Sequence, residues 1–263
     1  MPNDPLFTII TVIYNNIAGL KRTAESVHAQ TLKDYEWIVI DGGSSDGSAE
    51  WLKSSKANWI SEPDRGIYDA MNKGIGKSSN QYLLFLNAGD TLAEKDVLQS
   101  LSQEIKSQRT APDFIYGDSL EMDRSGKRLN KPARSHKKIL SGMFTHHQAM
   151  LYRREALGDL RYSLRYDIAA DYDFTLRFLK KTKNILYWPH PICVFEAGGV
   201  SQQQALKGRA EQFEIRQNIG VNPNINAAIF ITQTATWHFR KLFPFAYWAF
   251  KNVRGSSGNK SGG

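Results

Sequence analysis

The chain reads as an α/β protein, a mostly parallel sheet flanked by helices, and three observations predict this. Phe7–Tyr14, Tyr35–Ile40 and Tyr82–Leu86 are nearly unbroken apolar runs rich in β-branched and aromatic residues, the pattern of strands buried on both faces. Between the first two, Leu20, Ala24 and Val27 recur at helical spacing, so the opening segment is a strand–helix–strand unit. Two of these strands run straight into turns of Asn, Asp, Gly and Ser, and ligands of open α/β sheets bind beyond the carboxyl ends of such strands.

Composition bounds the function. With 263 residues and 41% hydrophobic content, the chain suits one large α/β domain or a domain with a C-terminal appendage. A single cysteine, Cys193, excludes an internal disulfide framework and a cysteine-based zinc site and fits a reducing compartment. The opening MPNDPLF lacks a basic region followed by an apolar stretch, and no run of about 18 apolar residues occurs, so a cytoplasmic protein without a membrane span is expected. The net charge of +8 favours an anionic partner: nucleic acid, an acidic membrane surface or a phosphorylated substrate.

In order, the first strand ends at Asn15 and Asn16, which can cap a helix from about Ile17 to Gln30. The second strand leads into Asp41-Gly42-Gly43-Ser44-Ser45-Asp46-Gly47, where glycines permit positive φ and backbone N–H groups can face an anion. Asp41 can accept hydrogen bonds from a nucleobase or ribose there; equally, the segment is a tight turn in which Asp46 or Ser48 caps the next helix. No dinucleotide fingerprint or P-loop is present. Trp59–Ser61 is a short strand, and Ile67–Lys73 a helix closed by Gly74 or Gly76, with Asp69 and Asn72 on one face and Ile67, Ala70, Met71 and Ile75 on the buried one. The strand Gln81–Leu86 ends in Asn87-Ala88-Gly89-Asp90. Asp90 either holds a divalent cation against a phosphate or caps the helix that follows.

Together, TVIYN, DGGSSDG, EPDRGIYDAMNKGI and FLNAGD resemble the nucleotide-binding half of family 2 glycosyltransferases, in particular bacterial enzymes assembling colanic acid, O-antigen and other surface polysaccharides. The resemblance covers about residues 6–215 and implies a GT-A fold and inverting transfer of a sugar from a nucleotide diphosphate donor of the UDP or GDP type, with Mg²⁺ or Mn²⁺. By this likeness Thr11, Tyr14 and Asp41 border the base and ribose, Asp69 stands near the nucleotide, and Asn87–Asp90 occupies the metal turn. Where many relatives carry D-x-D-D, Asp90 is the one carboxylate left, so its site is either weaker or completed by donor phosphate oxygens and water.

The second half is expected to carry the acceptor. Leu98–Ser107 reads as a helix, Phe114–Asp118 as a strand, and Leu120–Leu129 as a hairpin turning at Ser125-Gly126. The basic stretch Lys127–Lys138 is a solvated face or a contact for anionic lipid headgroups. Thr145–Gln148 leads into the strand Ala149–Arg153; adjacent histidines point to opposite sides of a strand, which argues against a two-histidine metal site. In the family likeness His147 and Gln148 lie near the acceptor pocket. Asp171 begins the helix from about Tyr172 to Lys181 and is either its N-cap or a general base for the acceptor hydroxyl. The likeness places the base at Asp171, the second position of a Glu-Asp pair whose first position is Ala170 here, with Asp173 and Asp167 as substitutes.

Ile185–Trp188 and Ile192–Phe195 read as strands, Glu196–Ser201 as a flexible loop that in relatives closes beside the donor phosphates, and Gln203–Asn218 as a helix. Ile225–Val253 interleaves aromatic residues with Arg240, Lys241, Lys251 and Arg254 and suits an amphipathic helix at a membrane surface, broken at Pro244, or a stripe packed on the core or on another subunit. The expected organisation is thus a GT-A domain over residues 1–220 (nucleotide-binding half about 6–118, acceptor half about 119–220), a membrane-peripheral segment over 221–254 and a disordered tail over 255–263. The expected activity is transfer to a lipid-linked glycan acceptor at the cytoplasmic face of the inner membrane, with no nucleic-acid partner. A nucleotidyltransferase would need a glycine-rich basic loop where Tyr14-Asn15-Asn16 stands; a non-catalytic nucleotide- or sugar-binding protein is the non-enzyme alternative.

Overall fold

The computed structural model describes residues 5–122, 126–196, 199 and 203–243. The parallel half of the sheet is built from β1 (Phe7–Ile13), β2 (Glu36–Asp41), β3 (Asn58–Ser61) and β4 (Tyr82–Phe85), in the order β3-β2-β1-β4. Beyond β4 the sheet turns mixed. β8 (Met150–Arg153) pairs antiparallel with β4 and β6 (Phe114–Met122); β9 (Ile185–Glu196) runs parallel to β6; β5 (Thr91–Leu92) closes the edge against β9; and β7 (Arg128–Lys131) pairs with β6. The expected α/β sheet is observed, and β1 and β4 are buried throughout because helices cover both faces.

Helix α1 (Ile17–His28) begins where expected: Asn16 is its N-cap, its Oδ1 accepting from Gly19 N at 3.0 Å. Leu20, Ala24 and Val27 are buried as the spacing requires, and each of the larger two contributes roughly 1.5–3 kcal/mol by leaving water. The helices α2 (Ser48–Leu52), α3 (Ile67–Lys77), α4 (Val97–Ser107), α5 (Arg154–Leu157) and α6 (Ala170–Lys181) complete the first compact unit, which ends at Gln203.

Two elements differ from expectation. α3 continues through Gly74 and Gly76 to Lys77, because Gly74 is a close-packing glycine: a β-carbon there would strike Ile10 Cγ2 of β1. The two strands expected around Pro189-His190-Pro191 form one, β9, whose register against β6 jumps from Gly117↔Trp188 to Asp118↔Pro191 and then Ser119↔Cys193. Gly117 makes room for this bulge, since a β-carbon on it would lie 2.8 Å from His190 O.

The second compact unit starts at Gln204 and joins α7 (Ala205–Asn218) with α8 (Pro223–Leu242). The two helices share a buried polar link, Arg216 Nε to Asn226 Oδ1 at 2.7 Å, and an edge contact between Phe213 and Phe230. Ser125 of the expected hairpin turn, most of the Ala197–Ser201 loop, the helix break at Pro244, the aromatic and basic residues beyond it, and the tail over 255–263 lie outside the described residues.

Candidate active site

Three chain reversals at the carboxyl ends of β1, β2 and β4 are laced together by hydrogen bonds. Asn15, at φ 49°, donates its backbone N–H to Ser44 Oγ at 2.8 Å and accepts from Ser45 N at 2.8 Å. Asn16 Nδ2 donates to Ala88 O at 3.1 Å, and Asp46 Oδ2 accepts from Ile17 N at 2.8 Å. Asp46 also takes Ser48 N and Ser48 Oγ, although the N-cap of α2 is Gly47 rather than Asp46 or Ser48, and these hydrogen bonds hold its carboxyl below the usual range.

The residues expected at the nucleotide separate into lining and scaffold. Tyr14 is 67% exposed, and its ring and the Asp64 carboxylate flank Gly42 so closely that a β-carbon there would lie 2.5 Å from Asp64 Oδ2. Asp41 is fully buried and accepts from Ser44 Oγ and Ser61 Oγ, both at 2.5 Å, so it builds the loop. Thr11 is also fully buried, and its hydroxyl accepts from Trp37 Nε1 at 3.0 Å. Asp69 accepts from the backbone N–H of Arg65 at 3.1 Å and pairs with its guanidinium at 3.4 Å; the backbone bond foremost lowers its pKa.

The Asn87–Asp90 turn rests on α1. Thr23 Oγ1 accepts from Gly89 N at 3.0 Å and donates to Asp90 O at 2.7 Å, while Gly89 takes φ 111°. Asp90 is buried rather than surface-exposed, its Oδ2 accepting from Gln148 Nε2 at 2.8 Å and its Oδ1 from Glu196 N at 3.1 Å. Burial pushes its pKa up to about 7, with a further push from the Glu196 charge. Glu196 lies over the turn, its Oε2 2.7 Å from where a β-carbon of Gly89 would stand, and pairs with Arg22 at 2.7 Å. Asn87 Oδ1 is buried and has no hydrogen-bond partner among the described residues.

These donors suit a hard divalent cation: carboxylate and amide oxygens, one of them unsatisfied, on a turn with no side chain at position 89. A carboxylate has about four lone-pair sites, so the two bonds to Asp90 leave it ligating capacity. Among the described residues no group of three or more His, Cys, Asp or Glu is placed to hold a metal.

His147 and Gln148 fall on a 3₁₀ turn (His147–Ala149) rather than on an open wall. Gln148 is committed to Asp90. His147 is buried between Phe85 and Tyr162, with its Nε2 2.6 Å from Tyr162 Oη, and burial lowers its pKa to about 3. His146 faces elsewhere, stacked on Phe195 at 4.3 Å, so the adjacent histidines do diverge.

Asp171 is the second residue of α6, with Ala169 as the N-cap, and its Oδ1 accepts from Tyr172 N at 2.7 Å. Asp173 is engaged by Arg177 at 2.6 Å, whereas Asp167 is exposed. The segment leading to α6 is clamped to α3: Asn72 bonds both the N–H and the C=O of Tyr162, at 2.8 and 3.0 Å, and Tyr68 Oη donates to Ile168 O at 2.8 Å. Tyr162 in turn stacks on Phe174 of α6 at 4.0 Å. Sequence reasoning missed Arg22, and it named Glu196 only as the start of a loop, because their meeting depends on a pairing across 174 positions.

The mixed, half-parallel sheet with its interlinked strand-end turns is that of the GT-A glycosyltransferases. Solved structures agree on the fold: S. aureus TarS 1-349 in complex with UDP superposes with a TM-score of 0.65 at 16% identity, covering 89% of this chain and 72% of that one. The mannosyltransferase PcManGT from Pyrobaculum calidifontis, in complex with GDP-Man and Mn²⁺, gives 0.60 at 14% identity over 96% of this chain and 81% of its own. The chain belongs to glycosyl transferase family 2, whose profile matches residues 8–161. It is similar to a PGL/p-HBAD biosynthesis glycosyltransferase of Mycobacterium bovis, 30% identical over 226 residues, 82% of this chain and 87% of the relative.

Proposed function

We propose that this family 2 enzyme is an inverting, hexosyltransferase-type catalyst of cell-surface polysaccharide biosynthesis. It moves a sugar from a UDP- or GDP-sugar to a hydroxyl of a lipid-linked glycan acceptor. The observation that carries the reading is the hydrogen-bonded lacing of three strand-end loops, with Asp90 in the Asn87–Asp90 turn and the start of α6 clamped to the same α3 that presents Asp69. Tyr14 supplies the open aromatic face for the base, and Asp41 and Thr11 support the site from beneath. UDP bound to TarS, GDP-Man and Mn²⁺ bound to the mannosyltransferase, and the biosynthetic role of the mycobacterial relative support the donor and pathway classes.

In this reading Asp90 and donor oxygens hold Mg²⁺ or Mn²⁺, which when bound neutralises the diphosphate leaving group. Asp171 accepts the acceptor hydroxyl's proton as that oxygen attacks the anomeric carbon from the face opposite the departing diphosphate, which leaves with the bonding electron pair. Gln148 fixes Asp90's orientation. Among the described residues no helix is long and apolar enough to cross a membrane. The exposed Ile231, Phe239, Leu242 and Phe243 of α8 and its C-cap support peripheral attachment at the inner membrane's cytoplasmic face.

The test is transfer by the full-length protein from a panel of UDP- and GDP-sugars to lipid-linked acceptors with Mn²⁺ or Mg²⁺. The linkage is read by NMR. An α-configured donor is expected to give a β-linked product; retained configuration, or binding without turnover across the panel, rejects the reading.

A further inference from the structure

The Asn87–Asp90 turn has one carboxylate of its own, yet a second stands over it. Glu196, at the end of β9, donates its backbone N–H to Asp90 Oδ1 at 3.1 Å, which fixes the strand end against the turn. Its side chain folds back so that Oε2 comes within 2.7 Å of the position a Gly89 β-carbon would occupy. Gly89 is thus required twice, for its φ of 111° and for the space the Glu196 carboxylate fills. Among the described residues that carboxylate pairs with the Arg22 guanidinium of α1, at 2.7 Å, and the pair is half-exposed, with side-chain accessibilities of 43% and 44%.

We propose that Glu196 is the second carboxylate of the divalent-cation site at Asp90, replacing the one the turn lacks, and that Arg22 is its counter-ion until the cation binds. This rests on the reading of Asp90 given above. Two acidic side chains converging on one turn repel each other, and a divalent cation between them removes that penalty. The buried, unpartnered Asn87 Oδ1 belongs to the same turn and adds a neutral oxygen donor. Nothing in the fold depends on the Arg22–Glu196 pair, because an exposed ion pair of this kind contributes little to stability, so the exchange of a guanidinium for a cation is inexpensive.

The experiment is Mn²⁺ titration of the full-length protein, with UDP and separately with GDP at saturation, following free Mn²⁺ by electron paramagnetic resonance. Glu196→Gln, Arg22→Met and Asp90→Asn are compared with wild type, beside their melting curves. Glu196→Gln is expected to weaken Mn²⁺ binding roughly tenfold or more at unchanged melting temperature. Arg22→Met is expected to tighten it, since the competing cation is gone. If Asp90→Asn loses Mn²⁺ while Glu196→Gln binds like wild type, the Glu196 proposal is overturned and the Asp90 reading stands. If wild type binds no Mn²⁺ with either nucleotide, or Asp90→Asn binds normally, both fall. Should the glutamine variant melt early, Arg22→Met decides alone: unchanged or weaker Mn²⁺ binding overturns the counter-ion role and with it the proposal.

Discussion

Asp171 sits at the second position of α6, where its Oδ1 accepts from Tyr172 N at 2.7 Å, a bond that an asparagine keeps. Asp171→Asn is therefore expected to melt near wild type while losing roughly 10²-fold or more in turnover with donor binding intact. Near-normal turnover would return Asp171 to a structural role and direct attention to the exposed Asp167, because Asp173 is held by Arg177. Asp90→Asn is expected to abolish metal-dependent transfer, and full activity in that variant, or activity unchanged in excess chelator, would refute the metal assignment. His146 and His147 make a different prediction. Burial lowers them to about 4 and about 3, whereas in the unfolded chain they titrate near their ordinary value of 6.5. Between these limits the unfolded chain binds protons that the native protein refuses, so this stability is fully present above pH 6.5 and drains away as the pH falls. The slope approaches roughly 1.4 kcal/mol per pH unit for each histidine. Urea unfolding from pH 7.5 to 4.5 should show the loss, and His147→Gln, which can still meet Tyr162 Oη, should shed its share of the slope.

The α3 helix shows where sequence reading succeeds and where it stops. Its buried face was legible from Ala70, Met71 and Ile75, but its end was not, because Gly74 meets Ile10 on another element and no local pattern encodes that contact. Gly74→Ala is accordingly expected to destabilise despite alanine's better helix propensity, by about 1–3 kcal/mol of overpacking, measured as a lowered urea midpoint; a neutral or stabilised variant would mean the contact relaxes freely. β9 gives the same lesson: Pro189 and Pro191 read as a break, yet the bulge opposite Gly117 absorbs them within one strand. The candidate site divides along this line. Asn16, Asp46 and the N-A-G-D turn were readable because local rules place polar residues at strand ends. The burial of Thr11 and Asp41, the commitment of Gln148 to Asp90, and the arrival of Arg22 and Glu196 depend on packing between distant segments. Asn72 is the clearest such case, a polar residue whose function is to grip the backbone of Tyr162 across 90 positions.

Taken whole, the chain carries a net charge of +8, and its second compact unit presents apolar side chains to solvent on α8, with Ile231 65% and Leu242 69% exposed. On the same helix Trp237 is covered by cations, with Arg209 at 5.6 Å and Lys241 at 5.3 Å from its ring centre, so it is less available to a bilayer than the sequence suggests. If this unit docks on a membrane, the exposed apolar residues enter the interface while nearby basic residues meet anionic headgroups, each adding about 1 kcal/mol that salt screens away. Truncation before residue 225 is a poor test, since it would strip Asn226 from the buried Arg216. Ile231→Asp with Leu242→Asp is the sharper one, because both positions are mostly exposed. The double variant should keep the wild-type melting temperature and soluble-acceptor turnover, yet fail to co-sediment with anionic vesicles at low salt, whereas wild type should co-sediment at low salt and be released at high salt. A drop in melting temperature would instead assign the stripe to packing, and wild-type protein that ignores anionic vesicles at low salt would refute peripheral attachment.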